Sequence, residues 1–241
     1  AAGEAQVKSA RRLVPRDAAT LILVDRSAGE PRVLMGRRRA TQVFLPNKFV
    51  FPGGRVDRCD RTAPCGDDLD EDEARLLLAG MKGRASLSRA RALALAAIRE
   101  TFEETGLVVG CAPQSSQPRP ARMTPEWQAF LATGRIPAVG ALRYFARAIT
   151  PPSRPRRYDT RFFIADASAI TARRQAIDDE LRDTGWFTLG EIRGLDLPNI
   201  TRAIVEDLAF ALAGEAASHR SARQIPFYAF RNGSFRRDLI A

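Results

Sequence analysis

Arg99-Glu100-Thr101-Phe102-Glu103-Glu104-Thr105-Gly106 is the stretch on which the reading of this chain turns. On a helix, residues three and four apart share a face, so Glu100, Glu103 and Glu104 hold three carboxylates within a few ångströms of one another. They stand in the last turn before a glycine stop, where the helix dipole is negative and stability alone favours Lys or Arg. Each like-charge pair costs about 0.2 to 0.5 kcal/mol, and the dipole mismatch adds roughly 0.3 to 1 kcal/mol. A divalent cation reverses that sign. The plainer reading is an exposed acidic helix end. It fits poorly with the preceding Ala-Leu-Ala-Leu-Ala-Ala-Ile run (92–98), whose apolar surround implies a helix buried on most sides.

Working upstream, Ser86 or Ser88 can cap this helix, which runs through Thr105. Asp70 to Met81 reads as a short amphipathic helix with an acidic first turn. Phe49 to Phe51 is a short strand that stops at Pro52-Gly53-Gly54. A double glycine there lets backbone approach an anion or a facing helix closely. Ala18 to Asp25 and Arg32 to Arg37 read as two strands of a hairpin, turning through Arg26 to Pro31. Downstream, Leu107 to Val109 extends as a strand and Thr124 to Ala132 forms a short helix with Pro125 in its first turn. Ala141 to Ile149, Arg161 to Ala165 and Gly185 to Thr188 read as strands. Ile164 to Asp183 mixes a turn with a helical stretch, and Asn199 to Gly214 is amphipathic. The aromatic, basic stretch from Ile225 has no assignment. Strands, hairpins and helices in this mixture suggest an α/β or α+β layer fold rather than a regularly alternating parallel sheet. We divide the chain into a loose N-terminal arm (1–16), one domain (17–215) with an insertion at about 58–88, and a C-terminal extension (216–241).

The 241 residues carry a formal net charge of +10, three cysteines and one histidine, His219. Cys59, Cys65 and Cys111 make an odd count with no C-x-x-C pair, which argues against a disulfide framework or a zinc site. An acid–base or metal site must then be built from carboxylates, which prefer the hard cations Mg²⁺ or Mn²⁺. The positive charge suits polyanionic ligands. Basic residues are scattered and do not alternate with aromatics, so nucleic acid is not the expected partner. The longest apolar run, Ala90 to Ile98, is too short to span a membrane and contains Arg91. A soluble, cytoplasmic protein is expected.

These residues resemble the Nudix hydrolase family, whose signature is G-x5-E-x7-R-E-U-x-E-E-x-G-U with U apolar. Arg99, Glu100, Glu103, Glu104, Gly106 and Leu107 match its second half, and Gly54 opens its first. Arg99 follows Gly54 by 99 − 54 = 45 positions where the signature has 14, so 31 residues are inserted. Counting back from Arg99, the first signature glutamate falls on Arg91; Asp57 is a candidate replacement. Thr101 stands where an apolar residue is expected. A signature interrupted in this way is similar to the peroxisomal coenzyme A diphosphatase branch, as are Arg38 to Gly54 and Ile149 to Phe163. Together the likeness covers roughly residues 18 to 200. No peroxisomal tripeptide closes the sequence at Asp238 to Ala241.

The resemblance implies a Nudix-type α/β/α sandwich with a mixed sheet and a helical insertion. It also implies hydrolysis of a diphosphate linkage with Mg²⁺ or Mn²⁺. On that footing Glu103 and Glu104 are the main metal ligands, with Glu100 as ligand or base and Arg99 orienting the glutamates. Gly53 and Gly54 shape the loop, with a Gly54 backbone carbonyl facing the metal. Glu180, ahead of Trp186, is the late acidic residue, with Asp179 and Asp183 as rivals. Arg37, Arg38 and Arg39, and Arg157 with Arg161, are candidate phosphate contacts, against the commoner role of surface arginine. The insertion reads as a lid or a dimer contact, and a homodimer is consistent with the family. The favoured substrate is a nucleoside diphosphate derivative, coenzyme A or acyl-coenzyme A first. Two rivals remain: a non-catalytic nucleotide-binding regulator of the same fold, and a cap-removing RNA-processing enzyme.

Overall fold

A computed structural model describes residues 13–43, 45–113, 123–215, 224–231 and 233–240. Most of the expected N-terminal arm, and His219, lie outside the described residues. The first hairpin forms as read: β1 (Arg16–Asp25) pairs antiparallel with β2 (Arg32–Arg38). β3 (Phe49–Val50) adds to β2, and β4 (Gly53–Arg55) adds to β1. The double glycine therefore continues as a strand, where the sequence suggested a stop.

Two helices follow. α1 (Glu71–Ala79) is capped by the Asp70 carboxylate, which accepts from the Asp72 amide. α2 (Leu87–Thr105) begins where Ser86 Oγ accepts from the Arg89 amide at 3.2 Å, and ends at Gly106 with φ +71°. A side chain at Gly106 would place its Cβ 1.9 Å from the Arg174 carbonyl oxygen, so only glycine fits this stop. β5 (Leu107–Cys111), α3 (Pro125–Leu131) and β6 (Ile136–Pro137) lead to the central pair β7 (Arg143–Ile149) and β8 (Tyr158–Asp166). The stretch 164–183, expected to be partly helical, is instead the end of β8, a single 3₁₀ turn, β9 (Ile170–Arg173), a loop and the first residues of the next strand. β9 pairs with β5, a long-range partner that local propensity does not reveal. β10 (Leu181–Thr188), α4 (Leu189–Arg193) and α5 (Asn199–Glu215) come next. The unassigned C-terminal stretch forms a hairpin of β11 (Ile225–Arg231) and β12 (Ser234–Ile240).

The large sheet runs β10-β2-β1-β8-β7-β11-β12; β1/β8 and β7/β11 are parallel and the other pairs antiparallel. The sheet is thus mixed, and 225–240 belong to it. β11 joins it by pairing with β7. Side-chain alternation along β1 assigns the two faces. Leu21 and Leu23 pack with α1, α2 and α3, whereas Ile22 and Val24 pack with α4 and α5 through Ile192, Ile204, Val205 and Leu208. Helices therefore cover both faces, giving the expected α/β/α sandwich. Residues 92–98 of α2 are fully buried, as their composition required. Among the described residues no helix is long and apolar enough to cross a membrane.

Candidate active site

The last two turns of α2 carry the site because sheet packing of the Ala/Leu run leaves them pressed against the β4 loop. Arg99 is its hub. The guanidinium, 4% exposed, donates from Nη1 to Glu100 Oε1 at 3.0 Å and to Glu103 Oε1 at 2.8 Å, and from Nη2 to the Arg55 carbonyl at 2.9 Å. Its remaining donors reach an acid the sequence reading passed over. Asp60 is fully buried and accepts from Arg99 Nε at 2.8 Å and Nη2 at 3.0 Å, a bidentate pair. It also accepts from Trp127 Nε1 at 3.0 Å and from the Asp57 amide at 2.8 Å.

Asp60 therefore takes the place of the first signature acid. Counting forward from Gly54 past five intervening residues reaches it; counting back from Arg99 crosses the insertion and misses it. On this count the inserted residues follow Asp60, within the span expected at about 58–88. Asp57, the proposed replacement, caps the 3₁₀ turn over 58–61 and pairs with Arg55. Thr101, the other departure from the signature, is buried with its hydroxyl donating to the Ala97 carbonyl at 2.7 Å, so its polarity is satisfied within the helix.

The glycines meet the glutamates directly. A Cβ on Gly54 would lie 2.4 Å from the Glu100 carboxyl carbon. Gly53 has φ +154°, has the Ala19 carbonyl where a Cβ would go, and donates its amide to Glu104 Oε2 at 2.9 Å. Burial pushes the Glu104 carboxyl well above the ordinary carboxylate range, with the Glu100 charge adding to the effect. Burial likewise raises Glu100 to about 8, opposed by Arg99 and reinforced by Glu103, and it raises Glu103 too. One arginine does not neutralise this much buried negative charge, and oxygen donors of this kind suit a hard divalent cation. Among the described residues no three acidic, imidazole or thiol side chains already stand in ligand geometry.

The other expected residues divide. Arg38 reaches the site: its charge opposes the rise in the Glu104 pKa, and it contacts Gln42 at 3.2 Å and Glu180 at 3.5 Å. Arg37 donates to Asp183 at 2.7 Å and Arg39 pairs with Asp179, which engages both rivals of Glu180. Glu180 itself is about half exposed and faces Arg38. Asp178 lies nearer to the glutamates. The Ile177 and Asp178 amides donate to the Glu103 carbonyl at 2.8 and 3.2 Å, satisfying an open carbonyl of the helix end. The Asp178 carboxylate then raises both Glu103 and Glu104, as Glu126 raises Glu103. Nothing local in the sequence marks Asp178 or Glu126, since loop docking places both.

Arg157 is not brought to this centre. Its carbonyl accepts from the Arg16 amide at 3.0 Å, at the start of β1. There Arg89, in the first turn of α2, binds Asp17 at 2.6 Å. Between Arg89 and Glu100 the helix rises about 16 Å. Arg161 is buried in that same end, between Asp17 and Asp159.

No protein-family model matches the chain. A Caenorhabditis elegans protein named nudix hydrolase 7 is 30% identical over 156 residues, which cover 62% of this chain and 43% of that protein. The acyl-coenzyme A diphosphatase NUDT19 of Gallus gallus is 29% identical over 178 residues, 55% of this chain and 47% of that protein. The chain thus spans less than half the length of these curated relatives. The crystal structure of a NUDIX hydrolase from Alicyclobacillus acidocaldarius superposes with a TM-score of 0.59 at 27% identity, over 84% of this chain and 96% of that one.

Proposed function

The chain belongs to the Nudix hydrolase superfamily, and from that premise we propose that it is a divalent-metal-dependent diphosphatase acting on a nucleoside diphosphate derivative. The observation that carries the reading is the Asp60–Arg99 pair holding Glu100 and Glu103, with Glu104 fixed by the Gly53 amide. The site keeps a costly acidic cluster rigid and buried, which a mere binding module does not require.

Glu100, Glu103 and Glu104 would hold Mg²⁺ or Mn²⁺, and Gly54 lies against them. Such a cation supplies neutralisation of the phosphoryl oxygens and acidifies a bound water. The protein's own part is orientation. Arg99 holds Glu100 and Glu103 at fixed angles, the Gly53 amide fixes Glu104, and the 174–178 loop carries Asp178 to the helix end. Asp178 is better placed than Glu180 to accept a proton from the attacking water, because its charge is already felt by two of the glutamates. Arg38 is the substrate-phosphate contact this geometry favours.

Coenzyme A or acyl-coenzyme A is the first-choice substrate. The name of the chicken relative and the matching stretches at 38–54 and 149–163 support it. The test is a hydrolysis panel of coenzyme A, acetyl-coenzyme A, ADP-ribose, NADH and capped RNA, with and without Mg²⁺ or Mn²⁺, for wild type and Glu103→Gln. Metal-dependent cleavage of one compound, lost in the variant, is expected. Turnover of none, with thermal stabilisation by one of them, would make the chain a nucleotide-binding regulator.

A further inference from the structure

Two stretches that the catalytic signature does not use, the end of the insertion and the C-terminal hairpin, meet at the opposite end of α2. The Gly80 carbonyl accepts from Arg147 Nη1, and Gly80 packs so closely under β12 that a Cβ there would lie 3.1 Å from Ile240 Cδ1. Beside this contact is a cavity of about 140 Å³ whose wall includes Lys82, Thr150, Arg157, Phe227, Phe230 and Arg231.

Its charge is one-sided. Among the described residues the Lys82 ammonium has no carboxylate partner. Arg157 donates to two neutral carbonyls, of Thr150 at 3.1 Å and of Leu13 at 2.6 Å, and among the described residues it meets no carboxylate. Arg231 meets Asp238 at 3.2 Å, and both are largely exposed. Arg147 lies over the Phe227 ring at 4.7 Å, and Arg231 lies 5.9 Å from the same ring.

The ground beneath adds to this. Among the described residues Arg89, Arg147 and Arg161 there pair with Asp17 and Asp159, three guanidinium groups to two carboxylates, while nearby Glu73 meets Arg143 at 3.8 Å. Arg161 Nε and Nη2 are buried, and among the described residues its carboxylate contacts are made through Nη1. A cavity lined by cations over a buried positive excess focuses potential for an anion.

We propose that this cavity is an oxyanion site that takes a phosphoryl group, separate from the glutamate centre. The volume corresponds to about four or five waters, enough for a phosphate and too small for a nucleoside. Lys82 supplies a point charge, Arg157 and Arg231 supply guanidinium donors, and the phenylalanine rings exclude water from one side. The separation follows from α2: Arg89 Nη1 donates to the Lys82 carbonyl at 2.6 Å, and Glu100 lies about 16 Å further along the helix. Two sources share this chemistry: free phosphate, and a phosphate monoester whose organic part projects through the mouth.

The experiment is calorimetric titration of the full chain, without divalent cations and at fixed ionic strength, with orthophosphate and with phenyl phosphate. Wild type, Lys82→Glu, Arg231→Gln and Arg38→Ala are compared. Saturable binding is expected in wild type and unchanged in Arg38→Ala, which alters only the glutamate centre. It should be about ten-fold or more weaker in Lys82→Glu and in Arg231→Gln, since each loses a charge-assisted contact. Whichever probe binds more tightly identifies the source, and either order supports the site. Absence of saturable binding overturns the proposal. So does binding that is lost in Arg38→Ala but kept in Lys82→Glu. Lys82 and Arg231 are exposed, so both variants should fold.

Discussion

Asp60 and Arg99, 39 positions apart in sequence and separated by the whole insertion, form a buried bidentate pair at 2.8 and 3.0 Å. The insertion therefore leaves the site intact by looping out between two residues that the tertiary structure brings back together. Asp60→Ala leaves Arg99 buried with an uncompensated charge. We expect a loss of about 3 to 5 kcal/mol in denaturant unfolding. Asp60→Glu, the residue the family signature carries, should retain much of the activity that Asp60→Ala loses. Equal loss in both would detach this pair from function.

Trp127 joins α3 to the same carboxylate through one N–H at 3.0 Å. Trp127→Phe keeps the packing against Phe130 and removes only that donor. The expected cost is about 1.5 to 3 kcal/mol, the range for a hydrogen bond to a charged group. Urea titration checks it, and a change within experimental error would mean that the remaining donors suffice for Asp60.

Gly54→Ala forces a methyl into the Glu100 carboxylate, which a Cβ would approach to 2.4 Å. We expect Mn²⁺ affinity, read by electron paramagnetic resonance, to fall about ten-fold or more, in line with displacing a ligand's support. Unchanged affinity would place the metal elsewhere.

Glu103→Gln should reduce kcat about 100-fold or more if Glu103 holds or activates the reacting groups. In metal-free buffer the same change should not destabilise the fold, because it removes a buried negative charge. Full activity in the variant would remove Glu103 from the site.

The pH dependence has a definite sign. Glu100 is raised from 4.5 to about 8, so between those values the folded state binds more protons than the unfolded one. Stability from this group is present below about pH 4.5 and declines as pH rises through 8. In chelator, wild type should melt at a lower temperature at pH 8 than at pH 5.5, and Glu100→Gln should lessen the difference. A wild-type difference that the variant leaves untouched would assign the effect to other groups. Added Mg²⁺ or Mn²⁺ should restore the pH 8 value in wild type.

How much was legible depended on how local the cause is. Two serines, of which Ser86 is the cap, and Gly106 marked the ends of α2 because capping and a left-handed stop act within a few residues. The glutamate spacing fixed a shared helix face without any partner. Asp60 was also within reach, six positions beyond Gly54, and was missed by counting across the insertion. The β9 strand and the β11–β12 hairpin were not legible, since their partners β5 and β7 are distant in sequence.

By itself, the sequence determined the acidic helix, its limits, the glycines before it and the family to which that pattern points. The helix, its limits and the glycines follow from periodicity and backbone stereochemistry; the family follows from the resemblance of the motif to a known signature. Only the tertiary structure decided which acid meets Arg99, that the Asp178 amide meets the Glu103 carbonyl, and that Arg157 stands at the other end of α2. Those are long-range facts: sheet pairing and core packing fix which side chains share a buried volume, and burial then sets their charge.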